Sequence, residues 1–195
     1  MNRFLVWFFF TISLVHAADT EAVHQELRDV LQGIEKSVNS KNYGDLKHYF
    51  STKMKVTTIN QEILSDPSQI EPYFNKWFGE KGYLKDVQMK LNADAKTEFY
   101  GENMGVVWGS GDEKYILSDT RFFDMKTRWT ATVIKEDDGK WRILTLHIGT
   151  NFLDNPVSNA IESSTKLFAA IGAFVGLVLG LFISFVYIRK KYHSK

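Results

Sequence analysis

The chain has 195 residues and a formal net charge of +1, because 24 lysines and arginines nearly balance 23 aspartates and glutamates. This balance gives no indication of a nucleic-acid partner, which usually requires a clustered basic surface. The chain contains no cysteine and no Asn-x-Ser/Thr glycosylation site. Both absences are typical of a bacterial periplasmic domain that depends on its own hydrophobic core rather than on disulfides.

The first residues, MNRFLVWFFFTISLVHAADT, are typical of a secretory signal. One arginine precedes an apolar run from Phe4 to Val15, which is too short to span a bilayer as a relaxed helix. Small residues at Val15 and Ala17 predict a signal peptide over residues 1–17, with cleavage after Ala17 or, as second choice, Ala18. The alternative is an uncleaved N-terminal anchor.

A second apolar segment predicts a transmembrane helix over 167–188. These 22 residues, LFAAIGAFVGLVLGLFISFVYI, carry no charge and are long enough to cross a hydrocarbon core of about 30 Å. The following tail, 189–195, is rich in basic residues, whereas only Lys166 lies just before the helix. This bias predicts a single-pass protein with a cytoplasmic C-terminus and its N-terminal domain outside the cytoplasm, on the periplasmic side of the inner membrane if bacterial.

Three glycines of this segment, Gly172, Gly176 and Gly180, recur at four-residue steps. They share one face of a helix, where the missing side chains allow close approach of a second helix. The pattern predicts association within the membrane, and we expect a homodimer. The bilayer itself is the other expected partner.

The exported region, residues 20–150, opens with a helical pattern. Apolar residues recur at three- and four-residue steps from Thr20 onward and define one buried stripe: Val23, Leu27, Val30, Leu31, Ile34 and Val38. A second short helix is expected to end near Phe50, and KMKVTTI reads as a strand. Asp66 and Pro67 predict the start of a third helix that Gly79 and Gly82 terminate.

Strands follow the third helix. Residues 87–99 alternate apolar and polar side chains, and four further segments continue the pattern, with EDDGK as a hairpin turn: MGVVWGS, EKYILSD, FFDMKTRWTATVIK and KWRILTLHIG. Helices first and then an antiparallel sheet predict an α+β fold. Residues 151–166 form a polar tether to the membrane.

Two segments resemble the SnoaL-like proteins of the nuclear transport factor two superfamily: NSKNYGDLKHYFSTKMKVT and RWTATVIKEDDGKWRILTLHIG. The resemblance covers about Val23 to Thr150. It implies a cone-shaped, bent antiparallel sheet packed on about three N-terminal helices. The superfamily includes enzymes, binding domains and oligomerisation modules, and its members often dimerise through the open sheet, so the resemblance implies fold more than function.

The ketosteroid isomerase branch of that superfamily needs an acidic base at the end of the first strand and a tyrosine on the first helix. By the resemblance these positions fall near Thr57 or Thr58 and near Lys36 or Ser37. Neither carries the required group, and no carboxylate lies between Phe50 and Gln61. The sequence therefore favours a domain without this chemistry.

The candidate pocket residues lie on the later strands. Strict alternation places His147 on one face with Trp141 and Ile143, and the resemblance implies that this face looks into the cone, beside Trp129 or Trp108. His147 is then either a base or donor in a pocket or a hydrogen-bonded core residue. Asp119 could reach the same cavity or form a solvated rim.

No metal or cofactor is expected. The exported histidines, His24, His48 and His147, lack ligand-like spacing, and no nucleotide-binding or nucleophile motif occurs. Two functions remain open. The first is a non-catalytic ligand-binding or assembly module, whose partner is a small hydrophobic ligand or a membrane protein. The second is a small-pocket cyclase, isomerase or hydrolase acting on a hydrophobic metabolite, with His147 and a nearby aspartate as acid and base.

Overall fold

The computed structural model describes the backbone of residues 5–193 and the side chains of residues 21–191. The chain divides into two compact units, one extending to Asn151 and the other starting at Phe152. The first unit is an α+β domain with a curved, open sheet. The second contains one long apolar helix.

The helices of the first unit precede most of its strands. Helix α1 covers Leu5–Asn39, a 3-10 helix covers Tyr43–Tyr49, and a 3-10 turn at Pro67–Gln69 leads into α2, Ile70–Phe78. The Asp66 carboxylate accepts a hydrogen bond from the Ser68 amide and caps this turn. The predicted start and end of the third helix, at Asp66–Pro67 and Gly79, are confirmed.

Helix α1 passes without a break through Ala17 and Ala18, where we predict signal cleavage. The side chains of residues 1–20 lie outside the described part of the chain. Cleavage therefore stays a prediction.

The sheet contains seven strands: β1 Phe50–Thr57, β2 Ile63–Leu64, β3 Leu84–Ala93, β4 Glu98–Phe99, β5 Met104–Leu117, β6 Phe122–Lys135 and β7 Trp141–Thr150. Their order is β2-β1-β7-β6-β5-β3, with β4 pairing separately with β5. The sheet is mixed rather than wholly antiparallel, because β1 and β7 run parallel. Side-chain alternation reveals a strand but not its direction, which explains this difference from expectation.

Two strand boundaries also differ from the sequence prediction. The alternating run 87–99 is not one strand, since residues 94–97 separate β3 from β4. Conversely, MGVVWGS and EKYILSD are parts of the single strand β5, which pairs with β6 along nearly its whole length. The glycines and charged residues where these two segments meet resemble a turn in the sequence, but they continue the hydrogen-bonded pairing with β6.

A β-bulge divides β7 into two halves of opposite side-chain phase. Ile143 pairs with Val133 and Thr145 pairs with Thr132, so Leu144 has no opposite residue. One extra residue moves every later side chain to the other face of the sheet.

Helix α1 also covers the edge strand β3. The Asn39 amide donates to the Met89 carbonyl and accepts from the Met89 amide, both at 2.8 Å. The Glu35 carboxylate accepts from the Leu91 amide at 2.7 Å. These side chains pair edge groups that would otherwise be free to recruit another strand.

The second unit contains helix α3, Pro156–His193. The Asn155 side chain accepts from the Ser158 amide at 3.0 Å and caps its start. Within the described residues, the segment Pro156–Lys191 is long and apolar enough to cross a membrane, with a mean hydropathy of 2.5 in its best window. It supports a single-pass membrane anchor, and most of the expected tether is part of this helix.

Candidate functional site: an apolar cavity

A cavity of about 560 Å³ lies within the first unit, lined by α1, α2 and the concave, inner face of the sheet. Its walls are predominantly aliphatic and aromatic, including Leu27, Leu31, Ile34, Phe74, Val107, Trp129, Ala131 and Leu146. Exposed residues such as Asn60, Tyr83 and Lys96 also line it, so the cavity reaches the surface. Its volume and lining match those of small-molecule pockets, which are typically 300–1,000 Å³.

The most deeply buried charged group of the cavity is Glu113, on the inner face of β5. Glu113 is 6% exposed. Its Oε1 accepts a hydrogen bond from the Thr127 hydroxyl at 2.7 Å, and its Oε2 accepts a short one from the Tyr115 hydroxyl. We call Glu113, Tyr115 and Thr127 the polar centre.

Burial raises the pKa of the Glu113 carboxyl above its ordinary value, although the bonds from Tyr115 and Thr127 oppose this change. Burial also raises the pKa of Tyr115, and the neighbouring Glu113 raises it further. The two effects have the same origin, since an apolar wall disfavours any charge. A group of this kind is poised to exchange a proton or to accept a counter-charge.

Two glycines of β5 leave room for this arrangement. A Cβ at Gly111 would lie 2.6 Å from the Thr127 hydroxyl and 3.0 Å from Oε1 of Glu113. A Cβ at Gly109 would lie 2.3 Å from the Trp129 ring, whose Nε1 donates to the Ser110 carbonyl at 3.1 Å. The inner face of β5 is therefore shaped by small residues on which β6 side chains lie.

A second set of polar residues lies where β1 turns into β2. The Thr58 hydroxyl donates to Oδ1 of Asn60 at 2.5 Å, and the Tyr73 hydroxyl, from α2, donates to the same oxygen at 3.1 Å. All three residues line the cavity. Burial raises the pKa of Tyr73, and the charges of Glu62 and Glu113 raise it further.

The predicted pocket residues do not come together. Trp129 is buried and lines the cavity, but His147 is exposed and Trp108 is half-buried, and neither lines it. Both pair with Thr130 across the sheet, so they share its convex, outer face. The expectation of an inward His147 is wrong, because the bulge at Leu144 turns Leu146 and Ile148 inward instead.

The expected aspartate is also placed elsewhere. Asp119 is exposed, lies in the turn after β5 and forms an ion pair with Arg121 at 2.7 Å. The Arg121 guanidinium lowers the pKa of that carboxyl, which keeps it ionised and engaged. Neither Asp119 nor His147 lines the cavity, so the two do not form an acid and base pair on its wall.

The polar centre was not predicted from the sequence. Glu113 stands between Asp112 and Lys114, a run of charges that is typical of a solvated turn. The signal that could have revealed it is the period of two along β5, which places Glu113 in phase with Gly111, Tyr115 and the buried Leu117. An acid in phase with buried residues indicates an inward-facing carboxyl.

Among the histidines whose side chains the structure describes, none belongs to a metal-binding group. His24 is buried and its ring lies 5.2 Å from that of Phe99, whereas His48 is exposed. Among residues whose side chains the structure describes, no three His, Asp or Glu side chains are grouped as metal ligands.

No protein-family model and no curated protein matches the chain. Solved structures do resemble it. A hexachlorocyclohexane dehydrochlorinase from Novosphingobium barchaimii has a TM-score of 0.59 at 14% identity, over 70% of this chain and 91% of that one. A nuclear transport factor 2-like superfamily protein from Salmonella enterica has a TM-score of 0.55 at 19% identity, over 67% and 92%.

The association domain of CaMKII from C. elegans is also similar, with a TM-score of 0.53 at 15% identity, over 68% of this chain and 98% of that one. Together these likenesses define the class of fold as the nuclear transport factor 2-like cone. The neighbours include dehydrochlorinases and an association domain. The fold alone therefore does not determine the function.

Proposed function

We propose that this chain is a membrane-anchored, extracytoplasmic, non-catalytic module of SnoaL-like type that binds a small hydrophobic ligand. The observation that carries the proposal is the cavity of about 560 Å³ with its largely apolar walls. Water can enter from the rim, but apolar walls hold it poorly. A hydrophobic ligand would stabilise the domain by replacing that water.

The anchor supports a function at a membrane. Helix α3 contains the uncharged segment 167–188, followed by Arg189, Lys190 and Lys191. That bias favours a cytoplasmic C-terminus and an exported cavity. The signal-like N-terminus favours the same orientation. A hydrophobic ligand would be concentrated in the bilayer to which the domain is attached.

Assembly into a homodimer is the second part of the proposal. Gly172, Gly176 and Gly180 recur at four-residue steps on one face of α3, where the missing side chains would allow a second helix to approach closely. The similarity to an association domain is compatible with assembly. Crosslinking of the full chain in membranes should give a dimer that Gly176→Leu weakens. Recovery of monomer alone, unchanged by this substitution, would argue against association.

An enzyme is the alternative, and one observation favours it. Glu113 is a buried carboxyl with a raised pKa on a cavity wall, as in many acid and base catalysts. An enzyme would retain substrate in Glu113→Gln and product in the native chain, so the bound species, extracted and separated by chromatography, would differ in identity. A non-catalytic module would bind a chemically identical species in both, even where the variant binds less of it.

Native mass spectrometry of the detergent-purified full chain tests the proposal, because it reports bound ligand and oligomeric state together. Leu31 lines the cavity from α1, whereas the next residue, Gln32, is exposed and does not. We expect a bound apolar species that is lost in Leu31→Trp, where the indole fills the cavity, and kept in Gln32→Trp. An unliganded native chain, or a ligand retained equally by both variants, would contradict cavity binding.

A further inference from the structure

Glu113 is the one acidic residue among the described residues that line the cavity. Its two carboxyl oxygens each accept a bond from a hydroxyl, Thr127 on one side and Tyr115 on the other. Hydrogen bonds donated to a carboxylate stabilise its charged form. The immediate surroundings of Glu113 are therefore arranged for an anion, although the apolar cavity opposes one.

No counter-charge from the described side chains accompanies this anion. The ion pairs found there, with nitrogen and oxygen within 4.0 Å, do not include Glu113. A carboxylate buried without a cation is costly, whereas a cation placed beside it recovers much of that energy. In the empty cavity the carboxyl can take up a proton, as its raised pKa favours, whereas a cationic ligand would stabilise the carboxylate form.

The basic residues on the cavity walls are engaged elsewhere. Arg28 and Lys96 both pair with Glu21, at 2.8 Å and 2.6 Å, and Glu21 does not line the cavity. These two cations lower the pKa of Glu21 to about 2. His24 packs on Phe99, and burial followed by Lys96 lowers its pKa, which favours the neutral ring. None of them neutralises Glu113.

Aromatic rings line the same cavity. Tyr73, Trp77, Tyr115 and Trp129 all contribute to its walls, and Tyr115 contacts the Glu113 carboxyl directly. Ring faces attract cations, and the attraction grows when water is excluded. A carboxylate among aromatic and aliphatic walls is a combination that suits an ammonium group carried on an apolar body.

We propose that the ligand is an apolar amine, whose ammonium group binds the Glu113 carboxylate while its hydrocarbon part fills the cavity. This inference rests on the proposed ligand-binding function and specifies its ligand class. An apolar acid would place a second negative charge beside the Glu113 carboxylate and is disfavoured by repulsion. An apolar alcohol would fill the cavity equally well but would supply no counter-charge.

Three probes with the same body and different head groups separate these cases: 3-phenylpropylamine, 3-phenylpropanol and 3-phenylpropionic acid. Their affinities for the detergent-purified full chain are measured by calorimetry at neutral pH. We expect the amine to bind about tenfold or more tightly than the alcohol, because a charge-assisted bond in an apolar site is strong. The acid should bind most weakly.

Glu113→Gln removes the charge and keeps the size of the side chain. It should weaken the amine about tenfold or more and leave the alcohol unchanged, and the unchanged alcohol affinity shows that the cavity is intact. Tyr115→Phe keeps the carboxylate but removes one donor to it, so it should weaken the amine less. Acidification should weaken the amine alone as Glu113 becomes protonated.

Equal affinities for amine and alcohol, or an amine affinity that Glu113→Gln does not change, would overturn the amine assignment and leave cavity binding in place. Failure of all three probes to bind to the native chain, together with an unliganded native mass spectrum, would overturn both this inference and the function on which it rests.

Discussion

The two faces of the sheet present different environments to the side chains of the same strands. On strands β5, β6 and β7 the inner face carries Glu113, Thr127 and Trp129, which are buried and bound to one another or to backbone. On the outer face Thr130 and His147 are exposed. Glu113 and Trp129 line the cavity, whereas the outer residues of the same strands are exposed.

Residues that are neighbours in sequence lie in these two different environments. Successive residues of a strand point to opposite faces, so one residue of register decides which side chains meet a ligand. The bulge at Leu144 supplies that residue. It moves His147 out of the cavity and brings Leu146 in.

The largest effect is expected from adding one methyl group to each face. A Cβ at Gly109, on the inner face, would lie 2.0 Å from the Asn92 carbonyl oxygen and 2.3 Å from the Trp129 ring, whereas one at Gly149, on the outer face, meets nothing within 4 Å. Gly109→Ala should lower the free energy of unfolding by about 3 kcal/mol, and Gly149→Ala by less than about 0.5 kcal/mol. Thermal unfolding compares them, and equal losses would contradict the assignment of the two faces.

Removing a hydroxyl group from each face is expected to give the next largest difference in stability. Thr127 is buried and donates to Glu113, whereas Thr130, three residues later on the same strand, is exposed. Thr127→Val leaves a buried carboxyl oxygen without its donor, which should cost about 1–3 kcal/mol. The matched Thr130→Val should change stability by less than about 0.5 kcal/mol. A larger loss in Thr130→Val would reverse the proposed contrast.

The pH dependence of stability tests the inner face again. Because burial raises the pKa of Glu113 above its ordinary value of 4.5, the folded chain holds this proton to higher pH than the unfolded chain. The contribution of Glu113 is therefore greatest below pH 4.5 and is lost as pH rises through the raised pKa. Glu113→Gln cannot titrate, so its melting temperature should rise relative to the native chain across that interval. A difference that stays constant with pH would show that the pKa of Glu113 is not raised.

The smallest effect is expected at His147. Its side chain is exposed on the outer face, so His147→Ala should change stability by less than about 0.5 kcal/mol and leave ligand occupancy unchanged in native mass spectrometry. Loss of the bound species in this variant would place His147 in the site after all.

Much of the fold could be predicted from the sequence because it depends on local patterns. The helical stripe from Val23 to Val38, the Asp66–Pro67 start of the third helix and the long apolar segment each repeat a simple period or cap. The parallel pairing of β1 with β7 could not be predicted, because alternation carries no direction.

The candidate site was harder to predict than the fold. Trp129 lines the cavity, and its contact with a ligand stays a prediction. His147 and Trp108 were misplaced because a bulge leaves no composition signal of its own when the extra residue is an ordinary leucine. Glu113 was overlooked because its sequence neighbours Asp112 and Lys114 are exposed and charged.

The inner face of the sheet, and not the outer face, should bind an apolar ligand. Fluorine NMR of the full chain labelled with fluorotryptophan tests this directly, since the chain has 5 tryptophans and at least one lies on each face. Trp77 and Trp129 line the cavity, whereas Trp108 lies on the outer face. Each signal is assigned by a tryptophan-to-phenylalanine substitution, and benzene is then added as an apolar probe. We expect saturable shifts of the Trp77 and Trp129 signals and no shift of the Trp108 signal. A saturable shift at Trp108 alone, or no saturable shift at Trp129, would contradict this expectation.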